Sequence, residues 1–372
     1  MEPTMEGDDY YDYNNETVTV YGDLLDLVEE CLSTYLPYSD IYLPSLYFLI
    51  FFAGVLGNLF VIVVICGKRK GGRLVDTFVV NLALADLVFV CTLPLWAVSA
   101  SRGHRWDFGD ALCKLSSYII AVNRFSNIFF LTCMSVDRYL AVVRMLDSRF
   151  LRSSRCVRLT CGAVWVLSFA LGTPSLVFRG AVSQGGNDTL CLEDSVDPIF
   201  QSLSLASLFL AFIIPVLVIV FCYGSILAQL RRPSGLANPR GEVRRRHSLK
   251  IVFTIIAAFV VSWLPFNIFK TILTGSRLRG VGLSCGEESL LARGLILSSC
   301  LAFFNSCANP AIYLFLDHHF RHRAYAVCLG CVGRRGPLRA RVASTSFSFG
   351  TSDSFSGSAT TRGRLFSITQ KT

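Results

Sequence analysis

The sequence predicts an all-α membrane protein: a seven-transmembrane helix bundle followed by a short amphipathic eighth helix. Three observations carry this expectation. Apolar residues make up 52% of the 372 and charged residues only 16%, against about 25% charged in an average soluble domain, and mean hydropathy is positive. Seven apolar stretches approach or exceed the length that a membrane-crossing helix needs. Basic residues concentrate in alternate segments between them. This composition excludes a disordered chain and argues against an ordinary cytosolic enzyme.

Charges are absent from Ile41 to Gly67, Pro198 to Leu230, Ile251 to Phe269 and Gly294 to Leu316, each at or beyond the roughly 18–20 residues of a spanning helix. Leu159–Phe178 is of similar quality and predicts helix four. Thr77–Ser101, interrupted by Asp86, predicts helix two. Leu112–Val143, interrupted by Lys114, Arg124 and the pair Asp137–Arg138, predicts helix three. Lipid offers no partner to an unpaired backbone group, so these segments are expected as helices packed in a bundle.

Segments 68–73, 144–158, 231–250 and 321–371 carry 4, 5, 7 and 9 Lys/Arg, 25 of the chain's 35. The positive-inside rule places them in the cytoplasm, residues 1–40 outside and the tail inside. Residues 1–40 hold 11 Asp/Glu and no Lys or Arg, which leaves the rest at +20. They lack a basic start and an apolar core, so the first helix is expected to act as the insertion signal. The expected layout is an acidic extracellular segment over 1–40 and the bundle over 41–316. An amphipathic helix and lipidation region over 317–331 and a disordered, Ser/Thr-rich cytoplasmic tail over 332–372 complete it. The net charge of +9 averages two sides of a membrane and does not argue for nucleic acid.

Of the 14 cysteines, Cys31, Cys113, Cys191 and Cys285 fall at or beyond the predicted outer face, where four cysteines allow three connectivities. Topology favours Cys113–Cys191, tying the top of helix three to the second outer loop, with Cys31–Cys285 tying the acidic head to the last one. Cys328 and Cys331 lie on the inner side as palmitoylation sites; zinc is a weaker rival there, because a lone Cys-x-x-Cys offers two ligands of four. Asn15 and Asn187 open Asn-x-Thr glycosylation acceptors on outer segments. Tyr10, Tyr11 and Tyr13 stand among carboxylates, the context for sulfation, which would steer a basic protein ligand. A merely solvated acidic tail is the alternative.

Polar groups inside a bilayer are costly and mark function by default. Asn58, Asp86, Asn123, Asn127, Asn305, Ser306 and Asn309 fall at mid-depth. One carboxylate among amides and a hydroxyl would hold a hydrated Na+; a hydrogen-bonded network without an ion is the other reading. No obligatory cofactor is expected.

Gly57-Asn58, Leu82-Ala83-Leu84-Ala85-Asp86, Asp137-Arg138-Tyr139, Trp165, Pro215 with Tyr223, Trp263-Leu264-Pro265 and Asn309-Pro310-Ala311-Ile312-Tyr313 together resemble the rhodopsin-like (class A) G-protein-coupled receptors. The likeness runs in order over residues 41–330, with Cys113 and Cys191 where that family places its disulfide. Thr92-Leu93-Pro94-Leu95-Trp96, Trp106-Asp107-Phe108-Gly109 and the second outer cysteine pair look like its chemokine and chemoattractant peptide branch. The resemblance implies a plasma-membrane receptor for a secreted peptide or chemokine-like protein. It implies activation of a heterotrimeric G protein, preferably Gi/o, by outward movement of helix six, followed by receptor kinases and arrestin acting on the tail.

The resemblance also assigns roles. Asp137 restrains Arg138 until activation, when Arg138 turns towards the G protein, Tyr223 and Tyr313, with Tyr139 beside it. Pro265 kinks helix six and Trp263 packs above the kink, while Pro215, Ile128 and Phe259 form a packing switch and Asn309-Pro310 its counterpart on helix seven. Leu146 enters the G protein, although Met145 replaces the usual Pro or Ala before it. Arg244–Arg246 and Lys250 either contact the G protein or only obey the positive-inside rule.

Arg124, Lys270 and Arg293 make the expected pocket cationic. Asp86 would neutralise Arg124, or these cations receive an acidic ligand group, such as a peptide C-terminal carboxylate, beside Trp96. Ile120 replaces the Asp of aminergic receptors and Phe303 the lysine of opsins, so neither an amine nor retinal is expected. Ser299 replaces the Glu of many chemokine receptors, which weakens the chemokine reading. Scavenging or arrestin-biased binding without G-protein turnover is the alternative, against the intact Asp137-Arg138-Tyr139. A transporter would need a polar path through the bilayer. An enzyme is least expected, since no nucleophile–base pair, metal set or phosphate loop occurs.

Overall fold

The computed structural model describes residues 36–67, 74–143, 153–183, 189–193, 197–231 and 239–333, with backbone alone for 230, 239–248, 319 and 330–333. Seven helices among them are long and apolar enough to cross a membrane. They are α1 (Ser39–Cys66), α2 (Leu74–Ser101), α3 (Gly109–Val142), α4 (Ser154–Val177), α5 (Pro198–Gln229), α6 (Pro239–Leu278) and α7 (Cys285–Leu316); α8 (His318–Gly333) follows. The described helices pack in one unit as far as Leu329. The expected Tyr10, Tyr11, Tyr13, Asn15, Cys31, Leu146 and Asn187 sites lie outside the described residues.

Several helices outrun the stretches that predict them. α3 starts at Gly109 and takes in Asp110, which pairs with Lys114 at 2.7 Å one turn on. α6 starts at Pro239, well inside the segment expected as a loop. α7 starts at Cys285, where Ser284 and Glu287 form a capping box. Absence of charge marks only the part of a helix that lipid surrounds, whereas backbone hydrogen bonding continues into water, where charges are solvated and caps supply the missing partners.

Three spans are interrupted, α4 at Thr173 ahead of Pro174, and α2 and α5. Pro94 has no N–H to donate, and α2 breaks at Cys91–Thr92 before resuming at Leu93, with the Thr92 hydroxyl donating to the Phe89 carbonyl at 2.8 Å. α5 widens over Phe209–Ile213, where the Ile214 N–H reaches back to the Phe209 carbonyl, one residue beyond α spacing. Buried Pro215 follows at once.

The loop between α4 and α5 holds the element that charge counting could not show. β1 (Arg179–Ser183) and β2 (Thr189–Glu193) form an antiparallel hairpin with Arg179 opposite Glu193 and Ala181 opposite Cys191. A disulfide joins Cys191 to Cys113 on α3. The Ala181 N–H donates to Asp110 at 3.0 Å and the Trp106 N–H to the Thr189 carbonyl at 2.6 Å. Trp106 lies buried between Trp96 and Phe108, with ring centroids 5.0 and 5.1 Å away. These ties hold the hairpin against the ends of α2 and α3.

Close approaches and buried amides join the spans. A Cβ on Gly57 would sit 2.9 Å from Pro310, so α1 and α7 meet at a contact only glycine permits without displacement. The Trp165 indole donates to Asn81 at 2.9 Å, joining α4 to α2. Beyond α7, Asp317 caps α8 through the Phe320 N–H, and Phe320 buries its ring near Tyr313 and Phe60. Cys328 is exposed on α8; Cys331 falls on its last turn, where side chains lie outside the described residues.

Candidate functional site

At the hairpin end the helices enclose a cavity of about 380 Å³, bordered by Trp96, Arg124, Arg179, Glu193, Trp263 and Lys270 among others. Arg124 comes from α3, Lys270 from α6, and Arg179 and Glu193 from the hairpin. Side chains two apart in a strand share a face, so the face that carries Cys191 to α3 also carries Glu193 into the cavity. Lys270 Nζ lies 2.6 Å from Glu193 Oε1. The other cations rest on aromatic faces: Arg124 4.8 Å from the Phe125 centroid and Arg179 5.4 Å from that of Trp96, an arrangement that stabilises a partly desolvated cation by about 0.5–2 kcal/mol.

Burial alone would raise the Glu193 carboxyl, but Lys270, Arg179 and Arg124 together hold it below the ordinary carboxylate range. Burial lowers the Arg179 guanidinium against the opposing pull of Glu193; an arginine remains charged regardless. Burial also lowers His104, which lines the cavity. Among the described residues, three cations thus face one carboxylate. Arg124 does not pair with Asp86, and Glu193 is the carboxylate whose field it feels. Arg293 sits on α7 but does not line the cavity. Sequence reasoning missed Arg179 and Glu193, although the alternation around Cys191 could have signalled Glu193.

Trp263 lies at the floor of the cavity, buried, with Phe259 6.0 Å below it and Phe266 5.8 Å away. It shares an apolar core with Ile128, Phe259 and Tyr223, and Pro265 lies within α6 two residues further on. The ring of Tyr223 lies 5.7 Å from Phe253.

At mid-depth, buried Asp86 gathers donors from two helices. Its Oδ1 accepts from Asn123 at 3.0 Å, Asn127 at 2.8 Å and the Ser306 hydroxyl at 2.8 Å; its Oδ2 accepts from Asn309 at 3.1 Å. Asn58 donates to the Ser306 and Gly54 carbonyls instead. Asn305 is buried alongside but makes no bond to Asp86. The amide oxygens of Asn127, Asn305 and Asn309 are buried without a hydrogen-bond partner among the described residues. Carboxylate, hydroxyl and amide oxygens are the ligand types that suit a hard cation, so the chemistry of these residues is compatible with Na+.

At the opposite end Arg138 pairs with Asp137 at 3.1 Å, their side chains only 17% and 10% exposed, so this is not an exposed surface pair of little worth. Tyr139 packs against Phe221 at 5.7 Å. A small cavity beside Arg138 is lined by Asp76, Ile255, Tyr313 and Asp317, and α6 closes its rim.

Comparison with known proteins agrees with this architecture. Residues 57–313 match the 7 transmembrane receptor (rhodopsin family). The chain is 44% identical to Probable G-protein coupled receptor 25 of Mus musculus over 87% of each chain. It is 39% identical to Apelin receptor A of Danio rerio, covering 88% of this chain and 91% of that one, and 35% identical to Apelin receptor B of Xenopus laevis over 93% of each. The chain therefore belongs to the rhodopsin family of G-protein-coupled receptors: it is a multi-pass plasma-membrane signalling receptor, not an enzyme, and works with a ligand and a G protein.

Proposed function

We propose that this receptor binds a secreted peptide or chemokine-like protein through an acidic group, such as a C-terminal carboxylate, received by Arg124, Arg179 and Lys270 beside Trp96. The excess of three cations over one carboxylate among the described residues of an aromatic-walled cavity carries this reading. A cavity with net positive charge and low-dielectric walls attracts and holds an anion. The similarity to proteins named apelin receptors supports a ligand of related kind.

In this reading the hairpin end and residues 1–40 face outside and α8 and the tail face the cytoplasm, which the distribution of Lys/Arg supports. The carboxylates around Tyr10, Tyr11 and Tyr13 capture a basic part of the ligand, with or without sulfation. A ligand pressing on Trp263 shifts the packing of Phe259, Ile128 and Pro215. α6 then turns about Pro265, its cytoplasmic end moves outward, and Arg138 leaves Asp137 for the G protein, of the Gi/o class. Asp86, Asn123, Asn127, Ser306 and Asn309, with Asn305 beside them, would hold an allosteric Na+, whose charge would neutralise Asp86 and stiffen the junction of α2, α3 and α7. The Ser/Thr-rich tail takes phosphates from receptor kinases and binds arrestin, and Cys328 with Cys331 carries palmitate.

The test is a screen of secreted basic peptides by tail-dependent arrestin recruitment, repeated with residues 1–30 deleted and with Arg124→Ala. Both changes are expected to lower potency at unchanged surface expression. Full potency in Arg124→Ala would overturn the acidic-group reading. Nucleotide exchange on the purified receptor separates G-protein signalling from scavenging or arrestin-biased binding.

A further inference from the structure

A cavity proposed to receive a carboxylate already contains one. Glu193 sits on the last residue of β2, its backbone fixed by the hairpin register and by the disulfide two residues earlier. Its side chain has a choice of cations. Arg179 is its cross-strand partner, and such partners lie about 4.5–5.5 Å apart at Cβ. Glu193 nevertheless reaches across to Lys270 at 2.6 Å, while Arg179 turns its guanidinium over Trp96. Among the described residues no carboxylate lies within salt-bridge distance of Arg124 or Arg179.

We infer that Glu193 is a resident competitor: it occupies Lys270, and a ligand carboxylate gains Lys270 only by displacing Glu193 towards Arg179. The inference rests on the acidic-group reading of the cavity above. Two carboxylates crowded on one ammonium repel each other, so the incoming group and Glu193 do not share Lys270 at full strength. The displaced Glu193 has a planar guanidinium waiting on the opposite strand, suited to a bidentate carboxylate contact. Glu193 therefore stays paired while the ligand adds an ion pair with Lys270, and the Glu193 carboxylate passes from a cation on α6 to one on its own hairpin. The cost of displacing Glu193 selects for ligands whose carboxylate is borne on an apolar or aromatic residue able to use the walls of Trp96, Phe200 and Trp263.

The probe is N-acetylphenylalanine, with N-acetylphenylalaninamide as the uncharged control. Each is titrated against the purified full-length receptor, with thermal stabilisation giving an apparent Kd. The acid is expected to stabilise the wild type and the amide is not. Glu193→Gln should tighten the acid about tenfold, the equivalent of one charged hydrogen bond no longer contested. Lys270→Gln should weaken the acid, and adding Glu193→Gln to it should recover about twofold or less, because nothing remains to compete for. An equal gain in both backgrounds overturns the inference, since Glu193 would then act only through its field. Glu193→Asp, one methylene shorter and still charged, is the second variant if Glu193→Gln fails to fold. It should also tighten the acid, by retracting from Lys270. If the acid stabilises the wild type, loses its effect in Arg124→Ala and is indifferent to every change at Glu193, the cavity reading stands and the competitor does not. If the acid stabilises no variant, the acidic-group reading itself falls, and the competitor with it.

Discussion

Asp76 at the foot of α2 and Arg323 on α8 meet at 2.9 Å, with 5% and 15% of their side chains exposed. The pair joins positions 247 residues apart and fastens α8 beneath the bundle. Neutralising one partner leaves the other charge buried, which costs about 3–5 kcal/mol in such pairs. Arg323→Gln is expected to lower the melting temperature of the purified receptor clearly. The double variant Asp76→Asn/Arg323→Gln should regain most of the loss. A double variant as unstable as the single one would show that the pair is not what fastens α8.

The Gly57 contact with Pro310 makes a paired glycine comparison informative. Gly57→Ala places a methyl group 2.9 Å from the proline ring, and overpacking of this kind costs about 1–3 kcal/mol. Gly224 on α5 faces open space, where Gly→Ala stabilises a helix by about 0.5–1 kcal/mol. Melting temperatures should move in opposite directions.

The Cys113–Cys191 bridge closes a loop of 78 residues, for which chain entropy gives about 4 kcal/mol. Replacing both cysteines with serine is expected to destabilise the receptor by an amount of that order. It should also release the hairpin, so that Arg179 and Glu193 no longer reach the cavity. Hydrogen exchange of residues 179–193 measures this directly: faster exchange is expected there, with little change along α1.

The Glu193 carboxyl is held below its ordinary value of 4.5 by its cationic neighbours, despite burial. A depressed carboxyl contributes stability that is present above its unfolded-state value and lost as pH falls through the folded-state one. The difference in melting temperature between wild type and Glu193→Gln should therefore stay constant from neutral pH to about 4.5 and shrink in stronger acid. A difference that grew with acidity would contradict this arrangement of charges.

The oxygen-rich setting of Asp86 predicts a cation effect. Exchanging choline for Na+ at constant ionic strength should raise the melting temperature of the wild type. Asp86→Asn, which removes the charge and keeps the shape, should abolish the response. An unchanged response would place the effect elsewhere.

The seven spans, the α8 segment and the polar mid-depth set were legible because lipid imposes one rule on each residue locally: apolar where it meets the bilayer, polar only where partners wait inside. The ordered motifs added family membership, and topology favoured Cys113–Cys191 among the three pairings that the outer cysteines allow, the disulfide that the structure contains. Asp86 illustrates the limit. Its residue type announced a buried site, but whether it served Arg124 or the amides depended on how α2, α3 and α7 rotate against one another.

The same limit applies to the cavity. Arg124 and Lys270 stand out as charges in apolar runs, so sequence alone identified them. Glu193 and Arg179 lie in a polar loop where charge is ordinary; only the alternation around Cys191 points to Glu193, and nothing local distinguishes Arg179. They become part of the site only because a hairpin, a disulfide and two hydrogen bonds from β-strand and turn backbone fold that loop over the helices. Sequence alone determined the seven spans, because partition between water and lipid acts residue by residue. Only the tertiary structure decided which charges face each other, because that depends on distances between segments far apart in the chain.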